Sequence, residues 1–171
     1  MMKTFTYIII LIGLVIGCST KKNQNILLPS ITILNKINPY NGLKVDTGRF
    51  YNVQVKIYNN SDTVIDYWIL SCAWEANWYL ENNSFVFLVD CPHNIPVINH
   101  IKPHQELCYN ANIEFVDSIN NLTNKKYRVG FVLIKKDEVH EPIDFGETLV
   151  HKIETKTDIF WSDYFDVVLM V

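Results

Sequence analysis

"YNVQVKIYNN", residues Tyr51–Asn60, sets the period of this chain. Val53, Val55 and Ile57 fall on one side and Asn52, Gln54, Lys56 and Tyr58 on the other, before Asn59-Asn60-Ser61-Asp62 stops the run. A two-residue alternation closed by a polar turn is the pattern of a strand buried on one face. The same period extends both ways. "NILLPSITIL" (Asn25–Leu34) reads as a strand whose Pro29 suits a sheet edge, because proline has no N–H for a ladder. "TVIDYWIL" (Thr63–Leu70) and "SFVFLVD" (Ser84–Asp90) are β-branched and aromatic, which favours strand over helix. "ELCYNANIEF" (Glu106–Phe115) puts Leu107, Tyr109, Ala111, Ile113 and Phe115 on one side, and "KYRVGFVLIKK" (Lys126–Lys136) does so with Tyr127, Val129, Phe131 and Leu133. "IFWSDYFDVVLMV" (Ile159–Val171) closes the chain as a further strand.

Short strands at even spacing, separated by Asn, Asp, Pro and Gly clusters, predict an all-β fold. The expected architecture is an antiparallel immunoglobulin-like β-sandwich of about seven to nine strands. Residues Asp137–Thr157 fit this frame least, and their sequence suits a long loop with a short strand or helical turn. Excursions of that length within a domain are often functional or partner-binding, and the sequence assigns this one no role.

The amino-terminal end is of another kind. Lys3 precedes an unbroken apolar run, Tyr7–Ile16, closed by Gly17. That is the order of a secretory signal, and the run falls short of the ~20 apolar residues that a membrane-crossing helix needs. Val15-Ile16-Gly17-Cys18 resembles the lipobox of bacterial lipoproteins, in which an aliphatic and a small residue precede the acylated cysteine. The resemblance implies cleavage after Gly17 and lipid on the Cys18 thiol and the new amino terminus. Each buried CH2 contributes roughly 0.8 kcal/mol, so two or more acyl chains hold firmly where one does not. The expected organisation is then a signal peptide over residues 1–17, a lipidated terminus and tether over 18–25, and one sandwich domain over 26–171. Ser19 rather than Asp after the cysteine implies outer-membrane sorting in many Gram-negative lineages, with the domain facing the periplasm. The formal charge is −3 over the whole chain and −4 once Lys3 is removed, with no basic stripe to track nucleic-acid phosphates.

"IKPHQEL" (Ile101–Leu107) resembles the Leu-Lys-Pro-Gly-Glu turn that introduces a late strand in many bacterial immunoglobulin-like modules, with His104 where the glycine stands. Together with "VQVKIYNNS" and "KYRVGFVLI", it gives the chain a resemblance to uncharacterised immunoglobulin-like bacterial lipoproteins. More distantly, the chain looks like the small sandwich family that includes a Bacillus-type proteinase inhibitor. In such domains a tyrosine near the start of a late strand is structural, and Tyr127 has that position.

Three cysteines remain after Cys18: Cys72, Cys91 and Cys108, in a compartment that permits disulfides. Cys72 and Cys91 end neighbouring strands, and bridging them closes a loop near twenty residues, worth roughly 3 kcal/mol in loop-closure entropy. This pairing, Cys72–Cys91, is expected, with Cys108 left buried on its strand; Cys91–Cys108 is the alternative. His93, His100 and His104 lie near these cysteines, but their spacing matches no zinc module and Pro103 interrupts any helix face they could share. Neither metal nor cofactor is expected.

Trp68, Trp74 and Trp78, with Tyr67 and Tyr79, crowd one strand and the loop "AWEANWYLENN" after it. Most such rings fill the space between sheets, while Trp74 and Trp78 are candidates for a binding surface. Asp62-Thr63-Val64 and Asp117-Ser118-Ile119 resemble the Asp-Ser/Thr-aliphatic sites of bacterial O-glycosylation, which makes Thr63 and Ser118 candidate acceptors. Asn59-Asn60-Ser61 matches the N-glycosylation motif, which is discounted in a bacterial lipoprotein. The sequence has no Gly-x-Ser-x-Gly elbow, His-Glu-x-x-His pair or phosphate-cradling glycine loop. The resulting expectation is a non-enzymatic, membrane-anchored cell-envelope module that binds an envelope protein or a glycan. Its rival is an inhibitor or accessory protein acting on an envelope enzyme.

Overall fold

In the computed structural model, residues 25–37, 50–81, 85–89, 91, 94–116 and 126–166 are described. The strands are β1 (Leu27–Lys36), β2 (Phe50–Asn59), β3 (Ile65–Leu70), β4 (Trp78–Leu80), β5 (Phe85–Phe87), β6 (Pro96–Ile101), β7 (Glu106–Phe115), β8 (Lys126–Tyr127), β9 (Val129–Val132), β10 (Ile159–Trp161) and β11 (Phe165–Asp166). Among the described residues one α-helix, α1 (Phe145–Thr155), lies between β9 and β10. Eleven strands stand among the described residues where seven to nine were expected, because two runs read as single strands are each broken in two and because β4 and β6 were not read as strands. "KYRVGFVLI" breaks at Arg128, and the last run breaks at Ser162–Tyr164 into β10 and β11.

One layer is the sheet β1-β2-β7-β5. The other is assembled from the pair β3-β6 and the sheet β10-β9-β4, joined where Tyr67 bridges Lys135 and the Trp68 N–H donates to the Ile134 carbonyl at 2.8 Å. All the strand pairings are antiparallel. The fold is thus the all-β antiparallel sandwich that the alternation predicts. Pro29 sits in β1, at the edge of its sheet.

The core lies between the layers. Val53, Val55 and Ile57 of β2 are fully buried and face Tyr67, Phe131 and Leu133 across the gap. One end is filled with rings: Tyr127, itself fully buried, packs against Phe85, Phe115 and Phe165 with centroids 5.5–6.3 Å apart.

The 137–157 excursion is the main departure from the expected loop. It forms two 3-10 turns, Lys136–Glu138 and Pro142–Asp144, and then the eleven-residue helix α1. The helix covers the outer face of the second layer, where Trp68, Ile134, Val139 and Phe145 form a second buried cluster. Residues Val129–Ile134 are therefore buried whichever way they point. Lys152 fastens the excursion from beneath: buried itself, its Nζ lies 3.0 Å from Glu138 Oε1 and 2.5 Å from Asp158 Oδ2. Two carboxylates converging on one ammonium satisfy a charge that burial alone would make costly.

Two asparagines hold the places where the chain changes direction. Asn77, in the 3-10 turn between β3 and β4, donates through Nδ2 to the Trp68 carbonyl (3.0 Å) and the Val132 carbonyl (3.1 Å), bridging β3 and β9. Asn59, at the end of β2, is wholly buried. Its Nδ2 donates to the carbonyls of Thr63, Ile101 and Lys102 at 2.8–3.1 Å, and its Oδ1 accepts from the Ser61 N–H and Oγ–H. The His104 N–H donates to the Asn59 carbonyl at 3.0 Å, and His104 has φ 56°. Left-handed backbone is the conformation that glycine adopts most readily, and here His104 adopts it.

Asn59→Ala leaves three carbonyls and a buried turn short of partners, so we expect a loss of about 2–4 kcal/mol in urea unfolding at unchanged m-value. A loss below ~1 kcal/mol contradicts this account of the two turns. Glu75, half-buried in the Trp74–Asn77 turn, gives a pH-dependent test, since burial raises its pKa above the ordinary carboxylate value. The folded state therefore holds this proton to higher pH than the unfolded chain does. Ionisation at neutral pH opposes folding. Glu75→Gln is expected to raise Tm at pH 7.5, with the gain vanishing below about pH 4, where glutamate is protonated in both states.

Candidate functional site

The aromatic candidates separate. Trp78 is in β4, 5% exposed, with its ring edge-on to Phe131 at 5.4 Å, so it presents no face to a ligand. The segment read as a loop is a 3-10 turn leading into a strand, and that strand points Trp78 inward. Trp74 is half-buried and stacked on Tyr109, with centroids 4.7 Å apart. The two tryptophans do not form a common surface.

Cys72 and Cys91 are joined in a disulfide, with their Cα atoms 6.1 Å apart. Beside it, the Asn94 Oδ1 accepts from the Cys72 and Ala73 N–H groups. Cys108 is free and exposed, not buried as expected, because its strand position turns it to the outer face of β7. Its Sγ–H donates to Glu106 Oε1 at 3.3 Å, and Lys56 Nζ approaches the same oxygen at 3.0 Å. Desolvation, then the hydrogen bond and negative charge of Glu106, raise the thiol pKa above its ordinary value. A thiol held protonated is a weak nucleophile. Thr63 is exposed in the β2–β3 turn, open to modification, whereas the Asn59 amide is enclosed. Cys18 and Ser118 lie outside the described residues. His100 and His104 are exposed, and among the described residues no three His, Cys, Asp or Glu side chains converge as a metal site would require.

A cleft of about 530 Å3 opens at the end of the sandwich where β1 and β3 begin. Ile26, Val64, Ile65 and Leu133 supply apolar wall, and Asp66, Lys135, Lys136 and Asp137 charged rim. The backbone explains why it stays open. Lys135 bridges Tyr67, but the Lys135 N–H then donates to Glu138 Oε2 at 2.7 Å and the chain coils into the Lys136–Glu138 turn. A continued ladder would have laid Asp137 against Ile65. Instead, Val64–Asp66 face the cleft with no further strand on that side among the described residues. On the opposite wall, the Ile26 carbonyl accepts from the Asn60 N–H at 2.8 Å, which fixes the start of β1. Val64 is 54% and Ile26 39% exposed. An apolar-walled cleft of this volume, with a few charged groups at its mouth, has the form of a binding site. Sequence reading missed it because its walls come from three distant segments. The departure from the β period after Leu133 was the available signal.

No family model matches this chain. No curated protein matches it either. Among solved structures, it is similar to a FixG-related protein from Vibrio parahaemolyticus, at 10% identity and a TM-score of 0.35, over 83% of this chain and 96% of that one. A likeness of that degree supports no argument about function.

The thiol account is open to a rate measurement. In the non-reduced protein at pH 8, maleimide is expected to label Cys108 and to leave Cys72 and Cys91 intact. Glu106→Gln removes the carboxylate charge facing the thiol, lowers its pKa and is expected to raise the labelling rate roughly two- to threefold. An unchanged or slower rate contradicts the assignment.

Proposed function

We propose that this chain is a lipid-anchored module of the bacterial cell envelope, held at the outer membrane through Cys18 and facing the periplasm. It works by binding, without a cofactor. Its proposed ligand is an extended segment of another envelope protein, seated in the cleft beside Val64.

The observation that carries this reading is where the cleft opens. Ile26, the first residue of the 26–171 domain, is part of its wall. From Cys18 to Asn25 is seven residues, which reach at most ~25 Å when fully extended. A lipid on Cys18 thus keeps the cleft close to the headgroups, where a membrane-proximal segment of a neighbouring protein passes. An extended segment also suits the cleft chemically. Apolar side chains can enter between Ile26, Val64 and Leu133, a backbone can run along the free side of Val64–Asp66, and the mixed rim can pair with charges of either sign. Chain ordering makes such binding selective for segments that are already extended.

A photo-crosslinking residue placed at exposed Asp137 in living cells tests the reading. The expected result is one discrete adduct with an envelope protein. It should disappear when Val64→Arg fills the cleft and when Cys18→Ser frees the protein from the membrane. An adduct indifferent to Val64→Arg, or no adduct beyond that of a crosslinker at Thr32 on the polar face of β1, rejects the cleft. Release of wild-type protein by salt washing of membranes rejects the anchor.

A further inference from the structure

A second cleft, of about 410 Å3, lies on the other side of the start of β1 and differs in chemistry from the first. Its walls include Ser30 of β1, Tyr58 of β2, Trp161 at the end of β10, Asp163 just beyond, and Asn25. Two aromatic rings and three short hydrogen-bonding side chains thus meet in one concavity.

Both rings are held in place by their neighbours. The Tyr58 hydroxyl lies 3.4 Å from His104 Nδ1, and His104 Nε2 lies 3.1 Å from Asp62 Oδ1. Trp161 lies across Gly130, where an added Cβ would meet its ring at 3.1 Å and Ile159 Cγ2 at 2.4 Å. Tyr79 meets the Trp161 ring edge-on at 5.7 Å, and the Arg128 guanidinium stands 4.4 Å from its centroid. That guanidinium is also stacked on Tyr164 and paired with Glu81. Its charge is therefore met by a carboxylate and two ring faces. Among the described residues no Lys or Arg lines the cleft, and Asp163 is the one formal charge there.

We infer that this cleft binds a neutral saccharide. A pyranose presents an apolar C–H face and a rim of hydroxyls, which matches the apolar wall of Leu28, Pro29, Tyr58 and Trp161 beside a carboxylate, an amide and a hydroxyl. Rigid rings give contact area at small entropic cost. Asp163 can accept from two adjacent sugar hydroxyls, and charge-assisted hydrogen bonds of that kind are the strong ones. The same carboxylate repels uronic acids, phosphates and other anions. The volume is of the size usual for small-ligand sites. This assignment is independent of the protein-binding cleft and stands or falls separately.

The test uses full-length lipoprotein in a detergent without a sugar headgroup, since a glucoside detergent would compete. Saturation-transfer NMR and calorimetry are run against a panel of neutral trisaccharides of hexoses and N-acetylhexosamines, with trigalacturonate as the anionic control. Saturable binding of at least one neutral member is expected, weakened roughly tenfold or more by Asp163→Asn and by Tyr58→Ala. Both side chains reach solvent and are absent from the core, so unchanged melting of the variants separates lost contacts from lost folding. No binding by any neutral member at 10 mM, equal binding of trigalacturonate, or binding indifferent to both substitutions overturns the inference.

Discussion

The carboxamide of Asn59 fixes one end of the sandwich. The β2–β3 connection leaves the first layer for the second, and the β6–β7 connection returns. Asn59 stands at the end of β2 and binds carbonyls of both, Thr63 in the first and Ile101 and Lys102 in the second. One side chain thus aligns β2 with β7 and β3 with β6. In a strand pair, a slip of one residue turns every side chain to the wrong face, so such a clasp protects the core as well as the turns. The residue type follows from the demand. Aspartate lacks the donors and serine is too short, while asparagine offers two N–H groups and an acceptor oxygen in one plane. His104 closes the second turn with left-handed backbone, a conformation that hydrogen bonds on both sides of the residue help to hold.

The second layer is shaped by being buried twice. β3 and β9 pack against the first layer through Tyr67, Ile69, Val129 and Phe131, while Trp68 of β3 and Ile134, just past β9, pack with Phe145 of α1 in the second cluster. A strand with two dry faces loses the apolar-polar alternation, and the 0% exposure of each of Val132, Leu133 and Ile134 is the result. Such a layer needs its covering helix kept in place. Lys152 does this by drawing Glu138, before the helix, and Asp158, after it, onto one ammonium. The excursion is thereby pinned at both ends and in its middle.

What could be read from the sequence follows from this division. β2 and β7 line one sheet with a solvated outer face, and their period correctly turned Val53, Val55 and Ile57 of β2 and Leu107, Tyr109, Ala111, Ile113 and Phe115 of β7 inward, while buried Tyr51 and Asn59 were not among the residues it placed there. The Cys72–Cys91 bridge was also legible as a pairing, although its premise was not met: β3 ends at Leu70 and β5 at Phe87, in different layers, so the bridge joins the segments that follow the two strands rather than neighbouring strand ends. β4 was not. It is three residues long, follows a 3-10 turn and owes its pairing with β9 to tertiary contact rather than to pattern. Trp78 was therefore read as loop surface when it is core. Cys108 was read as buried although its own strand alternation, with Leu107 and Tyr109 inward, turned it outward. α1 was obscured by its composition. Its buried positions include Lys152, a charge whose partners lie outside the helix, so an apolar stripe alone could not reveal the packed face. Neither cleft was legible, since each is made of residues brought together from distant segments.

The two clefts bear on the same structural fact from opposite sides. Ile26 lines one, while Asn25 and Ser30 line the other, so the start of β1 is the partition between them. That partition is fastened at its base, where the Asn60 N–H donates to the Ile26 carbonyl and the Asn60 amide to the Asn25 carbonyl. Asn60 follows Asn59, and the turn that aligns the sheets therefore also sets the spacing of the cleft walls. A change in that turn should reach both clefts, whereas Val64→Arg is confined to one and Asp163→Asn to the other. On the proposed reading, the end of the domain nearest its tether is the working end. On that reading binding needs no domain motion, because Ile65 and Asp66 of one cleft and Ser30 and Tyr58 of the other stand on β3, β1 and β2, beside the turn that the buried Asn59 amide closes.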